Sequence, residues 1–339
     1  MKKLTTLLFI LVFASSMAFA QNNSASVTQK VDDSESIINQ NGSSNSADTY
    51  QILGNGNMLI NIDQQSNENI ANVTQQYGQY HEAQIDQSGS KNEAYLTQDN
   101  TSTLTDISQD GNKNLADVYQ RNYDFAFEDY SSKVDIGQIG DNNAAWVESD
   151  GDRNNVSITQ GGSNMSSDGQ YADVTQAGSD NESTIEQLGR GGASHTQIQD
   201  GSDNDAVVKS SWGSSSGLQE QYGSDNESKI VQNGSHSATT IQDGMNNYSW
   251  LRQGSGGSTA MFEQYGDENQ VNADQSGEGN MMTVEQDGSN NTAGTQGFSN
   301  RGLFQYGDNN SLQLSQLSDG NSAYVNQNGN MNQANITQN

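Results

Sequence analysis

Short bursts of alternating apolar and polar residues recur along this chain at a nearly fixed distance, and glutamine marks the beat. Glutamines stand at positions 29, 40, 51, 64, 75, 87, 98, 109, 120, 138, 160, 176, 187 and 199, then at 221, 232, 242, 253, 264, 275, 286, 296, 305, 316, 327 and 338. Ser149 and Ser210 fill the two gaps, and 19 of the 27 intervals between these 28 positions are 11 residues long. Two residues before the marker, 21 of the 28 units carry Val, Ile or Leu, as at Val118, Ile158, Ile185, Ile230, Val284, Val325 and Ile336. Six before it, 17 units carry Asn, among them Asn92, Asn114, Asn154, Asn181, Asn226, Asn269, Asn280, Asn310, Asn321 and Asn332. Two after it, 17 units carry Gly, including Gly111, Gly140, Gly178, Gly223, Gly266, Gly288 and Gly329. Four before it the residue is usually small, as at Ala116. The units ending at Gln98, Gln120, Gln160, Gln187, Gln232, Gln275, Gln286, Gln316, Gln327 and Gln338 thus read Asn-x-Ala-x-Val/Ile-x-Gln-x-Gly-x-x, with between none and three exceptions each.

The unit has the period of a strand. Asn114, Ala116, Val118 and Gln120 alternate with Leu115, Asp117 and Tyr119, so one face carries the recurring residues. Seven strand residues and four turn residues make the repeat of 11; Gly supplies the positive φ of the turn, and the Asn or Asp that often follows tolerates it. Gly140-Asp141-Asn142-Asn143 and Gly223-Ser224-Asp225-Asn226 show the turn well. One strand cannot close a coil, but two can. The pattern therefore predicts an all-β fold: a flattened two-sheet parallel β-solenoid of about 14 coils, with about 22 residues per coil. Asn and Gln would face inward, where burial is costly unless every amide is paired. Stacking in register pairs each amide with its equivalent one coil above and below. A surface role for these residues would leave their fixed distance from the aliphatic position unexplained.

Composition fits this reading and excludes others. Leu, Ile, Val and Phe make about a sixth of the 339 residues, below the roughly 20% of an ordinary packed domain. Two large aliphatics per coil cannot offset the entropy of ordering a coil. Backbone bonds between coils and the amide ladders must supply the rest, so a lone coil is unstable and a stack gains with each addition. Proline is absent, as expected where strand N–H groups serve neighbours. So is cysteine, which removes disulfides, thiolate metal sites and thiol nucleophiles. With 13 Lys+Arg against 42 Asp+Glu and a net charge of −29, the chain is unsuited to nucleic acid or anionic membranes. Stacked like charges would lie roughly 5 Å apart, which predicts that salt, divalent cations or acid speed assembly. His81, His195 and His236 sit in unrelated units and read as lone surface histidines, leaving no catalytic, cofactor or metal site. Calcium binding at Gly-x-Asp-Asn turns is a weaker reading, because Asp and Asn favour turns anyway.

Other segments break the rhythm. Residues 1–20 read as a signal peptide: Lys2 and Lys3, an apolar run from Leu7 to Phe13, and the small-x-small site Ala18-Phe19-Ala20. Cleavage there leaves residues 21–339 with 11 positive and 42 negative charges, net −31. Insertions fall near 121–137, with Tyr123, Phe125, Phe127 and Tyr130, and near 161–169. Each is either a presented loop or a tolerated bulge. Weak units near Ala193–Gln199, Ser215–Gln221 and Gly294–Gln305 act as brakes on premature assembly or are drift. Tyr222, Tyr265 and Tyr306 are spaced to line one edge every second coil, roughly 10 Å apart. Neither the unit Asn23 to Gln29 nor the unit Asn332 to Gln338 has an identifiable cap, so open edges predict head-to-tail polymerisation.

These units resemble curlin repeats, the building units of curli, the functional amyloid fibres of bacterial biofilms. The resemblance covers nearly the whole chain after residue 20 through its Asn, Ala, Gln and Gly positions. It implies a secreted, cell-surface fimbrium subunit whose partners are itself, a nucleator subunit and a curli-type outer-membrane secretion channel, with roles in adhesion and biofilm matrix. The chain departs from the familiar subunits in having more repeats, more acid and no Gly-rich segment after the signal peptide. The alternative is a monomeric secreted solenoid, an adhesin or an ice- or calcium-binding module. An ice-binding face wants a regular Thr array, and Thr101, Thr103 and Thr105 form only an isolated run.

Overall fold

A computed structural model describes residues 22–54, 56–100, 102–122, 132–161, 169–189, 191–294 and 302–339. The predicted signal peptide therefore lies outside the described residues, as do Tyr123, Phe125, Phe127, Tyr130 and most of the 161–169 insertion. The chain winds as a two-sheet β-solenoid of about 13 turns with about 22 residues per turn. Successive strands alternate between a 14-stranded and a 15-stranded sheet, and each strand pairs in parallel with the strand one coil away. Among the described residues there is no helix.

Register follows the repeat. Ala116 lies opposite Ala94 and Ala145, Val118 opposite Leu96 and Val147, and Gln120 opposite Gln98 and Ser149. Intervals of 18 and 16 residues in the sequence leave the ladder in phase, since Gln138 aligns with Gln109 and Gln176 with Ser149. In both cases the described strands on either side, Leu115–Asn122 with Ser132–Ile139 and Asn155–Gln160 with Tyr171–Ser179, keep their places in the two sheets.

One unit does not make its own rung. Thr292–Ala293 and Leu303–Tyr306 together form a single rung on Gln270–Ser276, and Gln305 lies opposite Gln275. Gln296 falls outside the described residues. The 28 units of the sequence thus give 27 rungs, 14 in one sheet and 13 in the other. This also moves Tyr306 to the sheet opposite Tyr222 and Tyr265, so the three tyrosines do not share an edge. Equal spacing along the chain predicted a common edge; two half-strands merging into one rung overturned it.

Inward positions are closed almost completely. Ala116, Val134, Ile185, Ile230 and Val284 are all fully buried, and so are the repeat Asn and Gln residues between them. The apolar core is divided in two, from Ala47 to Ile185 and from Val208 to Ala323. A turn with the repeat glycine commonly uses two residues of positive φ, that Gly and the residue directly before the Asn, as in Gly178 (φ +100°) and Asp180 (φ +58°), while Leu53, Ser66 and Tyr77 take the glycine's place elsewhere. The second is not confined to Asn or Asp, since Lys113, Arg153 and Glu268 also adopt it.

The glycines are required by proximity as well as by φ. A Cβ on Gly178 would lie 2.0 Å from the carbonyl oxygen of Gly201 in the next coil. Gly137, at an outward strand position, has nothing within 4 Å of where its Cβ would be. Gly178→Ala should therefore destabilise the column by about 1–3 kcal/mol, whereas Gly137→Ala should be neutral or add roughly 0.5–1 kcal/mol. Thermal unfolding followed by circular dichroism distinguishes them; equal melting temperatures for the two variants would show that the turns are not closely stacked.

Candidate functional site

Among the described residues, the strand alternation places every repeat glutamine on the inner face, at the corner where one sheet turns to the other. There the side chains form ladders along the column. In one sheet Gln29, Gln51 and Gln75 each donate Nε2–H to the Oε1 of the next glutamine, a run that ends at Gln98, at 2.7–2.9 Å. The ladder resumes from Gln176 through Gln199, Gln221, Gln242, Gln264, Gln286 and Gln316 to Gln338, at 2.7–2.9 Å. The other sheet carries Gln40, Gln64, Gln87, Gln109, Gln138, Gln160 and Gln187, then Gln232, Gln253, Gln275, Gln305 and Gln327, at 2.7–3.0 Å. The second Nε2 hydrogen crosses to the opposite sheet and bonds the carbonyl that opens the preceding strand, as from Gln138 to Leu115 at 2.8 Å and from Gln187 to Tyr171 at 2.8 Å. One amide thus joins successive coils and pins the two sheets together.

Both serine gaps interrupt the ladders. Ser149 replaces Gln between Gln120 and Gln176, and Ser210 replaces it between Gln187 and Gln232. The buried acceptors that follow, Gln176 Oε1 and Gln232 Oε1, have no hydrogen-bond partner among the described residues. Between Gln98 and Gln120 the Thr105 hydroxyl relays instead, accepting from Gln98 Nε2 at 3.2 Å and donating to Gln120 Oε1.

Asparagine works differently from glutamine, and the expectation of a simple amide-to-amide ladder needs correcting. Its Oδ1 accepts the backbone N–H of the Asn one coil on, as Asn92 does from Asn114 and Asn269 from Asn291, at 3.0 and 3.1 Å. Its Nδ2 donates to the turn carbonyl of the next coil, as from Asn92 to Gly111 and from Asn280 to Gly307. Direct side-chain bonds join only some pairs, such as Asn226 to Asn204 and Asn310 to Asn280. The short side chain reaches the turn backbone before it reaches its own kind. Asn154, Asn181 and Asn247 follow the same scheme. Near the end of the column Asn321, Val325, Asn332, Ile336 and Gln338 are only half-buried.

The histidines are not on the surface. His81, His195 and His236 are 1%, 0% and 3% exposed, because each stands at an inward position of the repeat. His236 takes the Asn position and imitates it: Nδ1 accepts Ser258 N–H at 3.1 Å, and Nε2 lies 3.2 Å from Asn233 O. His81 pairs Nδ1 with Thr103 Oγ1 at 2.7 Å. Thr103 and Thr105 are themselves buried, so they cannot build an ice-binding face. His195 takes the Ala position over Gly217, whose missing Cβ leaves room: one built there would lie 2.5 Å from His195 Nδ1. Burial holds His81 down to about 4, despite nearby backbone hydrogen bonds and Asp99, and His195 down to about 3.

His195 belongs to a polar seam between the two apolar cores. Gln197 and Gln219 occupy the aliphatic position and bond each other at 2.7 Å, while Ser183 donates to Gln197 Oε1 and Gln219 Nε2 reaches Ser228 Oγ at 2.8 Å. The weak units Ala193–Gln199 and Ser215–Gln221 are thus an alternative, polar interior. Their glutamines at the aliphatic position were the available signal in the sequence.

Acidic residues also stack. Glu182, Asp205 and Glu227 lie in register on adjacent rungs. Burial, then Glu182 and Glu227, pushes the Asp205 carboxyl up to about 6, against the pull of Lys229. Elsewhere a cation intervenes, as where Arg121 lies between Asp99 and Asp150. Among the described residues no group of three or more His, Asp or Glu could hold a metal ion.

Comparison with protein families agrees with this architecture. Residues 131–162 and 307–339 match the family model of the curlin associated repeat, so the chain carries curlin repeats. No curated protein matches the chain. Curlin repeats on a β-solenoid fit a structural or adhesive role.

Two predictions follow from the ladder and the histidines. Ser210→Gln supplies an acceptor for Gln187 and a donor for Gln232, and should stabilise the column by about 1 kcal/mol. Gln138→Leu strands its neighbours' amides and should cost about 2–3 kcal/mol; the reverse order of melting temperatures would refute the ladder's role. An unfolded histidine takes up a proton near pH 6.5, whereas His81 and His195 resist until about 4 and 3, so folding stability falls as pH drops through that window. Asp205 acts with the opposite sign, binding a proton near pH 6 in the column and nearer 3.8 when unfolded. The double variant His81→Asn/His195→Ala should therefore lose less stability than the parent between pH 6.5 and 4. Parallel slopes in a pH series of denaturation midpoints would contradict this.

Proposed function

We propose that this curlin-repeat chain is a structural subunit of an extracellular curli-like amyloid fibre, which polymerises head to tail and supports adhesion and biofilm matrix. The observation that carries this is the state of the outermost rungs. In the strand Ser24–Gln29, Val27 is 39% exposed, whereas its counterparts Thr49 and Val73 are at most 1% exposed. In the strand Gln333–Gln338, Ala334, Ile336 and Gln338 are likewise only half-buried, against fully buried Leu312, Leu314 and Gln316. An inner face that is dry for the length of the column is wet at both outermost rungs.

The two ends are chemically complementary. Every ladder amide points Nε2 toward higher residue numbers and Oε1 toward lower ones. Gln338 Nε2, bonded to Ser322 O, retains a second hydrogen. Gln29 and Gln40 donate into the column and direct their Oε1 outward. The last rungs of one copy therefore meet the first rungs of the next with the donor–acceptor order used inside the column, and each junction buries one more rung of apolar surface. Export by way of the predicted signal peptide, a curli-type outer-membrane channel and a separate nucleator subunit are the partners this function expects.

In the parallel ladder Ser311 and Leu317 of one strand donate to Asn332 and Gln338 of the last. Alternation then directs the N–H of Asn335 away from the column. Asn335→Pro should leave the fold intact yet stop growth at that end, because a missing donor and a locked φ are tolerated only on an edge. Electron microscopy of residues 21–339 left in buffer should show filaments with cross-β diffraction for the parent and few or none for the variant. A parent chain that stays monomeric while folded would overturn the proposal.

A further inference from the structure

The two broad faces of the column differ in charge at the same height. On the 14-stranded sheet, the strands Ser194–Ser202, Ser216–Ser224, Ser237–Met245, Thr259–Tyr265 and Met281–Asp287 contain no Lys or Arg. Directly before the Gln, their outward residues run Ile198, Glu220, Ile241, Glu263, Glu285; directly after it they run Asp200, Tyr222, Asp243, Tyr265, Asp287. Over the first four rungs carboxylates alternate with apolar or tyrosine side chains between the two columns, and the fifth rung carries a carboxylate in both, which makes an acidic surface with tyrosine rings set into it. Tyr222 donates its hydroxyl to Glu220 Oε2 at 3.4 Å. Burial and the surrounding Glu263, Glu285, Asp243 and Glu220 push the Tyr265 hydroxyl upward.

The same coils present a different surface on the other sheet. The strands Asp205–Ser211, Glu227–Asn233 and Tyr248–Gln253 lie side by side, and their central outward residues are Val207 and Lys209, Lys229 and Val231, Trp250 and Arg252. Three of the 11 cations beyond residue 20 are gathered there with no carboxylate between them. Asp205 and Glu227 sit at the strand starts, on the margin. Lys209 reaches Glu186 at 2.5 Å and Arg252 approaches Asp274 at 3.6 Å, yet their side chains remain 48% and 60% exposed.

A column of net charge −31 repels its own kind at a distance. Close side-by-side contact requires a local reversal of sign, and this cationic face supplies one. We propose that the face bearing Lys209, Lys229 and Arg252 docks on the face of a second copy bearing Glu220, Asp243, Glu263 and Glu285, so that columns associate laterally. The match extends beyond charge. Rungs on both faces repeat at one spacing, roughly 4.8 Å, so rows of cations and rows of carboxylates meet in step. Lys and Arg stems pack over Tyr222 and Tyr265, while Trp250 and the two valines meet Ile241 and Met261. The contact is separate from head-to-tail growth, because it uses flat faces and no open edge. It also depends on salt in the opposite sense, since screening weakens attraction between unlike faces.

The test compares the parent with Lys209→Glu/Lys229→Glu/Arg252→Glu at low and high salt. Circular dichroism and thermal melting check that both are folded, and electron microscopy with mass-per-length measurement reads the width. The parent should form bundles or paired columns at low salt and separate at high salt. The variant should give single columns at both, with filament length unchanged. A mixture of this variant with Glu220→Lys/Glu263→Lys/Glu285→Lys should restore lateral pairing through the swapped charges. Bundling by the triple variant equal to the parent's, or no rescue in the mixture, overturns the proposal. Absence of filaments from both would count against head-to-tail growth instead, and sedimentation of the unpolymerised columns would then decide the lateral contact.

Discussion

A buried primary amide has two donors and an acceptor to satisfy, and in this fold a single geometry satisfies them. Within an unbroken stretch of ladder, as at Gln138, a glutamine spends one hydrogen along the column and the other across it, and accepts from the coil before. That arrangement exists only when the rungs are in register, so the side chain that is most costly to bury also fixes the pairing. An aliphatic residue there would fill the space but would accept any register of the same parity. Turn glycines, the small residue at the next inward position and the absence of proline all serve the same constraint, which is that equivalent atoms in successive coils lie one rung apart. The energy of the column accordingly resides in contacts between coils rather than within them.

The architecture was legible in the sequence because the repeat is both regular and periodic in two ways. Spacing gave coil size, and alternation gave the inner face. What escaped were the places where inward residues change chemistry without changing spacing. His81, His195 and His236 looked isolated because their meaning lies in the position they replace, Asn or Ala, and in a neighbour 22 residues away. The Gln197 and Gln219 pair was hidden in units that simply looked weak. Asparagine's turn bonds could not be read from spacing alone, since the same spacing suits a side-chain ladder and a side-chain-to-backbone one. Tyr306 was misplaced because counting residues cannot show that Thr292–Ala293 and Leu303–Tyr306 share a rung.

Several of these exceptions cluster. Ser210 interrupts one glutamine ladder, while His195, Gln197, Gly217 and Gln219 interrupt the apolar core in adjoining coils. The column is thereby two apolar blocks joined through a polar seam, with the backbone ladders running continuously past it. In a stack whose cooperativity passes only between neighbours, such a seam is the place where coupling is set by hydrogen bonds rather than by dispersion. Hydrogen-bonded side chains demand closer alignment than methyl groups, so the seam adds specificity of register where it removes apolar contact.

The charge pattern answers to the same stacking. In-register pairing would place carboxylates of one column within a rung of each other, and Glu182, Asp205 and Glu227 show the consequence in the raised Asp205. On the opposite sheet the acids are staggered. Asp200, Glu220 and Asp243 alternate sides from rung to rung, so each has an apolar or aromatic residue above and below it in its own column, until Glu263 meets Glu285 in register. Staggering roughly doubles the separation between like charges within a column, which halves their Coulomb energy before any screening is counted. The column thus keeps a large net negative charge, with acids staggered on some rungs and in register on others, as at Asp63, Asp86, Asp106 and Asp135, where burial and the neighbouring carboxylates raise Asp106. Strand register, chosen by the amides inside, determines which charges meet outside, and the outer surface has been composed to suit it.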